Sequence, residues 1–179
     1  MTEPQALREE GLRHYQQGAL DEAIACFSEA YSLYLKKGDK RSMAEVLNNL
    51  GVIYYQQQRW SEAAQALEKA HQAFIAMEDA HGQAQTLGNL GSLYRASGQL
   101  EKAVQHFQDA LTLFHRLRDS QAESVTWRAL SAVRLRQRRW LEAILAYDSS
   151  LTCLKRFSLA QRLLHLLLRL PLRLLSGAR

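Results

Sequence analysis

The sequence repeats itself every 40 residues, and this period restricts the fold more than any other feature of the chain. Six positions of the repeat hold residues of a similar kind in four successive copies. They are Leu7, Leu47, Leu87 and Trp127; Gly11, Gly51, Gly91 and Ser131; Leu20, Trp60, Leu100 and Trp140; Ala23, Ala63, Ala103 and Ala143; Phe27, Leu67, Phe107 and Tyr147; and Ala30, Ala70, Ala110 and Ser150. Four copies without an insertion or deletion predict a stack of equal structural units.

Each copy has the pattern of two helices that pack against each other. In Asn89–Tyr94 the apolar residues recur at three- and four-residue steps, while Gly91 leaves room for a second helix to come close. A polar break follows, in which Gly98 suits a helix C-terminus that needs positive φ. The second helix then places small Ala103 opposite Gly91, with Phe107 filling the space between them. The repeat therefore predicts a helical hairpin.

The composition favours helix along almost the whole chain. No proline occurs between Pro4 and Pro171, and the interior is rich in Ala, Leu, Gln, Glu and Arg, which are good helix formers. We attribute all nine glycines to turns, to packing sites between helices or to the tail. The expected fold class is all-α.

Two segments, Asn49–Tyr54 and Asn89–Tyr94, are each followed by the Ala, aromatic and Ala positions of the repeat. This pattern resembles that of the tetratricopeptide repeat family. The resemblance covers about residues 5 to 157. Its period of 40 is similar to that of kinesin light chains and spindle-orientation adaptors. Repeats one and four depart from the family pattern, at His14 in the first and at Ser131, Arg134 and Ser150 in the fourth.

The resemblance implies a right-handed α-solenoid of four tetratricopeptide-type hairpins in residues 1–157. The expected repeats span about residues 4–37, 41–77, 81–117 and 121–157. Residues 158–179 are expected to form a separate leucine- and arginine-rich helix and tail.

That tail breaks the register, because the period would put Pro171 at the place of the packing glycine. Its polar residues Arg162, His165, Arg169 and Arg173 fall in one narrow stripe of a helix. One interpretation is a capping helix that covers repeat four. The other is a surface for a membrane, a second copy or a further domain. The apolar run is too interrupted to span a bilayer, which needs about 20 apolar residues, although contact of residues 159–175 with a membrane surface stays open.

The resemblance also implies a binding site, because the first helices of such repeats line a concave channel that receives an extended peptide. Asn49 and Asn89 each precede Leu-Gly, and an amide can pair with a partner's backbone as donor and as acceptor. The alternative is that they are polar helix residues in water. Arginines would add a preference for carboxylates. The channel residues implied are Arg8, Glu9, Leu12, Tyr15, Asn48, Asn49, Val52, Tyr55, Asn89, Ser92, Arg95, Arg128, Ala132 and Arg136.

Charge is distributed unevenly along the chain, whose formal net charge is +5. Up to His115 there are 10 basic and 14 acidic residues, and from Arg116 onward there are 13 basic and 4 acidic ones. The densest cluster contains Arg134, Arg136, Arg138 and Arg139. It is either a solvated helix end favoured by the helix dipole, or a surface that attracts an acidic partner or phosphate. Nucleic acid is not expected, since no series of aromatic residues accompanies the arginines.

No motif for catalysis, a cofactor or a metal is present. The six histidines are scattered, and no phosphate-binding glycine loop or nucleophile elbow occurs. Cys26 and Cys153 are expected to be buried free thiols. The first six residues lack the pattern of a secretory signal, so we expect a cytoplasmic protein.

We therefore predict a non-catalytic adaptor or scaffold that binds a protein or an extended peptide, with an acidic partner as one option. A peripheral membrane-associated assembly factor, docked through the basic leucine-rich tail, is the first alternative. A self-associating repeat module is the second. The oligomeric state stays open.

Overall fold

The computed structural model describes residues 3–153, and within this range it contains eight α-helices and no strand. The prediction of an all-α fold is confirmed. The expected helix and tail at residues 158–179 lie outside the described residues. The helices are α1 (Pro4–Gln16), α2 (Leu20–Lys37), α3 (Lys40–Gln56), α4 (Trp60–Ala76), α5 (Ala80–Ala96), α6 (Leu100–Leu117), α7 (Ser120–Arg136) and α8 (Trp140–Thr152).

Successive helices pair into four hairpins that stack in chain order. Helix α1 packs on α2, α3 on α4, α5 on α6 and α7 on α8, and each second helix also contacts the first helix of the next hairpin. First helices of neighbouring hairpins touch as well, α3 with α5 and α5 with α7, and no comparable contact joins second helices within residues 3–153. The stack is therefore an α-solenoid that curves with its first helices on the inner side.

The predicted close approach between the two helices of a hairpin is confirmed. A methyl group on Gly91 would lie 2.7 Å from Cδ1 of Phe107, and one on Gly51 would lie 2.5 Å from Cγ of Leu67. Ala103 on the facing helix is completely buried. Because interiors are close-packed, a side chain at either glycine would force the two helices apart.

In repeat four a hydrogen bond accompanies the residue that replaces the packing glycine. Ser131 is buried, and its hydroxyl donates to the carbonyl oxygen of Ala143 at 2.8 Å. Ser124 donates similarly to the carbonyl oxygen of Ser150, also at 2.8 Å. The departures of this repeat from the pattern are thus accommodated by polar bonds between α7 and α8, which satisfy groups that burial would otherwise leave unpaired.

The turns repeat as regularly as the helices. Gly18 and Gly98 have positive φ, as predicted, and end their helices in the left-handed conformation. Four residues that are not glycine adopt the same conformation, although it costs an L-residue about 1–2 kcal/mol. They are Gln58, Glu78, Arg118 and Arg138. The stacking of hairpins therefore fixes the turn geometry even where the local residue disfavours it.

Aspartates 40 residues apart cap three of the four first helices. Asp39, Asp79 and Asp119 each accept a hydrogen bond from the backbone N–H three residues later, at 3.0 to 3.1 Å. Hydrogen bonds from the side chain and backbone of Ser42 lower the pKa of Asp39. The caps satisfy backbone donors that a helix N-terminus leaves free and so fix where α3, α5 and α7 begin.

Two histidines are partly buried on the second helices of repeats two and three. Burial lowers the pKa of His71 and of His106, and Asp109 opposes this in both cases. Glu68 also opposes the shift of His106, whereas Lys102 and His71 add to it. The Nδ1 atom of each ring is buried without a hydrogen-bond partner. These rings are therefore held in surroundings that favour the neutral form.

No helix in the described range has the length and apolar character needed to cross a bilayer.

Two glycines of α5 provide a test of the packing. Gly91→Ala is expected to destabilise the protein by about 1–3 kcal/mol, because the methyl group meets Phe107. Gly88→Ala is its control on the same helix: nothing lies within 4 Å of the added atom, so the higher helix propensity of alanine should stabilise by about 1 kcal/mol. Urea denaturation measures both. Equal effects of the two changes would contradict the proposed approach of α5 and α6.

The histidines predict a loss of stability in mild acid. Above about pH 6.5 the rings are neutral in both folded and unfolded chains, and below it the unfolded chain binds protons more readily because the folded pKa values are lowered. The free energy of unfolding should therefore be smaller at pH 5.5 than at pH 7.5. In His71→Gln/His106→Gln this difference should shrink, whereas exposed His81→Gln should leave it unchanged. A double variant with the full pH dependence of the parent would refute the assignment.

Candidate functional site

The inner side of the solenoid contains an open cavity of about 510 Å³ between α3, α5 and α7. Its floor includes two aromatic rings of α6, Phe107 and Phe114. Polar side chains from the first helices form much of its wall. The lining residues are Asn48, Asn49, Gln85, Gly88, Asn89, Ser92, Phe107, Phe114, Ala122, Val125, Thr126 and Ala129. The cavity thus combines an apolar base with amide and hydroxyl groups at its rim.

Four of the predicted channel residues meet here: Asn48, Asn49, Asn89 and Ser92. The side-chain amide of Asn89 donates to Oδ1 of Asn48 at 2.9 Å, which links α5 to α3 across the boundary between repeats. The hydroxyl of Ser92 donates to the carbonyl oxygen of Gly88 at 3.0 Å. The bridge leaves the NH₂ group of Asn48 and the Oδ1 atom of Asn89 with capacity for further bonds.

Asn49 connects this cavity with a smaller one nearer the first repeat. The smaller cavity has a volume of about 60 Å³ and is lined by Leu12, Tyr15, Phe27, Asn49, Val52 and Ile53. Predicted residues Val52, Leu12 and Tyr15 therefore lie in it and not in the larger cavity. The Tyr15 hydroxyl accepts a hydrogen bond from Nε2 of Gln56 at 2.7 Å. The two cavities together form a groove along the inner surface, lined by first helices of all four described repeats.

The remaining predicted residues lie elsewhere. Tyr55 lines a separate cavity of about 460 Å³ with Trp60 and Ala96, and its ring centroid is 6.1 Å from that of Trp60. Arg95, Arg128 and Arg136 line none of these three cavities. The guanidinium of Arg136 donates to the backbone carbonyl of Arg95, near the end of α5. Arg128 is exposed.

The basic cluster at the end of α7 is partly neutralised by one carboxylate. Arg134 lies 3.1 Å from the carboxylate of Glu142, and Arg139 pairs with the same group. Arg134 also donates to the side chain of Gln137 at 3.0 Å. Two arginines of this cluster, Arg134 and Arg139, therefore share a single carboxylate at the turn between α7 and α8.

Gly88 is the groove residue that sequence reasoning missed. Its attribution to a turn, a packing site or the tail is wrong, because it lies inside α5 and nothing stands within 4 Å of the place of a Cβ atom. The equivalent positions in other repeats hold Arg8, Asn48 and Arg128. The missing side chain leaves open space in the wall of the cavity. The sequence did contain a signal, because this glycine lies inside a predicted helix at a place that is not a packing position of the repeat. Glycine is disfavoured in helix interiors.

Neither cysteine is fully buried, contrary to expectation, although both are free thiols. Burial, together with Glu123, raises the pKa of the Cys153 thiol to about 11. Burial and the neighbouring carboxylates of Glu10 and Glu29 raise the pKa of Cys26 as well. Both sulfurs therefore stay protonated near neutral pH, which disfavours their use as nucleophiles.

One trio of metal-ligating side chains occurs among residues 3–153, formed by Glu10, His14 and Cys26, with one donor atom of each within 4.8 Å of the others. Zn²⁺ accepts these ligand types. The repeat explains two of them in another way. Glu10 and His14 take the places of Leu90 and Tyr94, which pack towards the preceding hairpin in repeat three. No described hairpin covers α1 on that side, so polar residues there can face water.

The described fold has a close structural parallel. The crystal structure of BtubC (BKLC) from P. vanneervenii superimposes with a TM-score of 0.78 at 20% sequence identity, over 84% of this chain and 62% of that one. The chain thus spans less than two thirds of that structure, and at this identity the likeness concerns the fold. No curated protein sequence matches the chain.

The sequence profile of the tetratricopeptide repeat family matches residues 4–76 and 82–156, which together make up most of the chain. Its two segments correspond to the hairpins α1–α4 and α5–α8 described above. The glycine and alanine register, the helical hairpins and the solenoid stack agree with that match. This chain belongs to the tetratricopeptide repeat family.

Proposed function

We propose that the protein is a non-catalytic adaptor that holds an extended segment of a partner protein in the groove formed by α1, α3, α5 and α7. Tetratricopeptide repeats are generally protein-interaction modules, which makes a protein or peptide the expected ligand class. The observation that carries the proposal is the asparagine pair of consecutive repeats at the rim of an aromatic-floored cavity. The expected cytoplasmic location is part of the same proposal.

The arrangement suits a peptide backbone. The free NH₂ group of Asn48 and the free carbonyl oxygen of Asn89 are one donor and one acceptor, which is what a peptide unit requires. Asn49 forms no side-chain hydrogen bond within the described residues, so its amide is also available. Such contacts do not involve the side chains of the partner, so they would supply affinity for extended segments of varied sequence.

The cavity adds a preference for an apolar side chain. Phe107 and Phe114 lie at its floor but are only 1% and 4% exposed, so they present little ring surface to a ligand. Val125 on α7 is about half exposed at its wall. A volume of about 510 Å³ accommodates a large side chain, and its burial would contribute about 1.5–3 kcal/mol. The partner segment proposed here therefore carries an apolar or aromatic residue between backbone contacts.

An acidic preference depends mainly on Arg128. It is exposed and forms no ion pair within residues 3–153, whereas Arg136 already donates to the Arg95 carbonyl. A carboxylate that follows the apolar residue of the partner could reach Arg128 from the groove. The alternatives are membrane docking through the tail and self-association through the tail or through the exposed face of the first repeat, and both leave the asparagines unused.

The test uses a peptide selected from a display library on the full chain. In Asn49→Ala/Asn89→Ala we expect its Kd to rise about 10- to 100-fold, the result of losing two hydrogen bonds that are desolvated in the complex. Gly88→Leu should also weaken binding, because its side chain enters the cavity without disturbing the core. Titration calorimetry gives the affinities, and circular dichroism should show unchanged helicity.

The matched control is Gln65→Ala/Gln105→Ala, which removes two exposed amides 40 residues apart on the second helices α4 and α6. It should bind as the parent does. An unchanged Kd in the asparagine double variant would show that the groove is not the site. Loss of binding in both double variants would show that the contact also includes the second helices α4 and α6, outside the groove.

A further inference from the structure

The first hairpin carries three metal-ligating side chains at the end of the stack that no described hairpin precedes. Glu10 and His14 are one helical turn apart on α1, where a carboxylate oxygen of Glu10 lies 3.9 Å from Nε2 of His14. Cys26 of α2 supplies the third donor, and one donor atom of each residue lies within 4.8 Å of the other two. All three residues are partly exposed, so an ion can reach them from solvent.

Helix packing brings these donors to one level of the hairpin. Gly11 is the packing glycine of repeat one, and a methyl group on it would lie 3.2 Å from the ring of Phe27. Glu10 directly precedes Gly11, and Cys26 directly precedes Phe27, which is completely buried. The close contact of α1 with α2 therefore also fixes the backbone positions of the ligands, and rigid helices hold a metal site more precisely than loops do.

Contact with water explains two of these residues but not the third. Polar side chains suit the solvated end of a stack, and this accounts for Glu10 and His14. Cys26, in contrast, takes the place of Ala66 and Ala146, which are buried in repeats two and four. A thiol behaves as a small apolar group and gives no advantage at a solvated end. Repeats two to four have no complete set of donors at these three places, so the combination is specific to the first hairpin.

The charges around the thiol favour a cation. Burial raises the pKa of Cys26, and the carboxylates of Glu10 and Glu29 raise it further, whereas Arg13 opposes them. A negative potential that holds the thiol proton also attracts a divalent cation. The cation displaces that proton when it binds, because the thiolate is the form that ligates metal. The surroundings of Cys26 therefore suit the exchange of a proton for a metal ion.

We propose that Glu10, His14 and Cys26 bind one Zn²⁺ ion, which joins α1 to α2 and braces the first hairpin. Zn²⁺ accepts oxygen, nitrogen and sulfur ligands together, whereas Mg²⁺ and Ca²⁺ take oxygen ligands. Tetrahedral Zn²⁺ places its ligand atoms about 3.5 Å apart, so rotation of the side chains has to move the donor atoms by about 1 Å. The fourth position faces solvent and takes a water molecule.

The test titrates the full chain, reduced and free of metal, with Zn²⁺ in a calorimeter and with Co²⁺ in a spectrophotometer. We expect one ion per chain, and with Co²⁺ the near-ultraviolet charge-transfer band of a thiolate ligand. Loss of a second-shell partner already weakens metal binding about 10- to 100-fold, so Cys26→Ala and His14→Gln should each weaken it at least about 100-fold. Cys153→Ala is the matched control: it removes the other free thiol and should keep both the affinity and the band.

Zn²⁺ should also raise the melting temperature of the parent and of Cys153→Ala but not that of Cys26→Ala, because only a folded site binds the ion. Three results would overturn the proposal. Equal affinity of the parent and Cys26→Ala would place the ion elsewhere, and loss of binding in Cys153→Ala alone would assign it to the other thiol. Weak binding of several ions, without a charge-transfer band, would indicate adventitious sites only. Circular dichroism of the metal-free variants controls for folding, and Cys26→Ser replaces Cys26→Ala if that variant is unfolded.

Discussion

The close approach of two helices within each hairpin is the interaction on which the rest of the structure depends. Gly51 and Gly91 present bare backbone to Leu67 and Phe107, which fill the space that a side chain would have taken. This contact fixes the distance between first and second helices, and equal hairpins must then stack in the same way each time. The groove exists because the stack curves towards its first helices. Its shape therefore depends on how the first helices pack against the second helices, on the side away from the groove.

Much of the fold could be predicted from the sequence because the packing glycines and alanines recur every 40 residues and can be recognised by that spacing. The helix starts were less visible: Asp39, Asp79 and Asp119 repeat as strictly as the core, but they stand in polar linkers where many residue types occur. Left-handed turns at Gln58 and Arg138 were hidden for the opposite reason, since these residues do not favour the conformation that stacking imposes on them.

The groove could be predicted in part. The first helices and the asparagines follow from the repeat, and Asn48, Asn49, Asn89 and Ser92 do line one cavity. The bond between Asn48 and Asn89 does not follow, because it joins different repeat positions of two repeats and depends on how far one hairpin is rotated on the next. Periodicity within a helix cannot supply that angle.

The Asn48–Asn89 bridge has a mechanical consequence. It spans the boundary between two repeats on the inner, shorter side of the curve, where bending changes the distance between α3 and α5 most. In the proposed binding mode a guest would bond to the remaining NH₂ group of Asn48 and to the Oδ1 atom of Asn89, so this bridge would stay in place and join α3 to α5 beneath the guest. The bridge would then restrict how far repeats two and three can move apart on the inner side when a guest is bound.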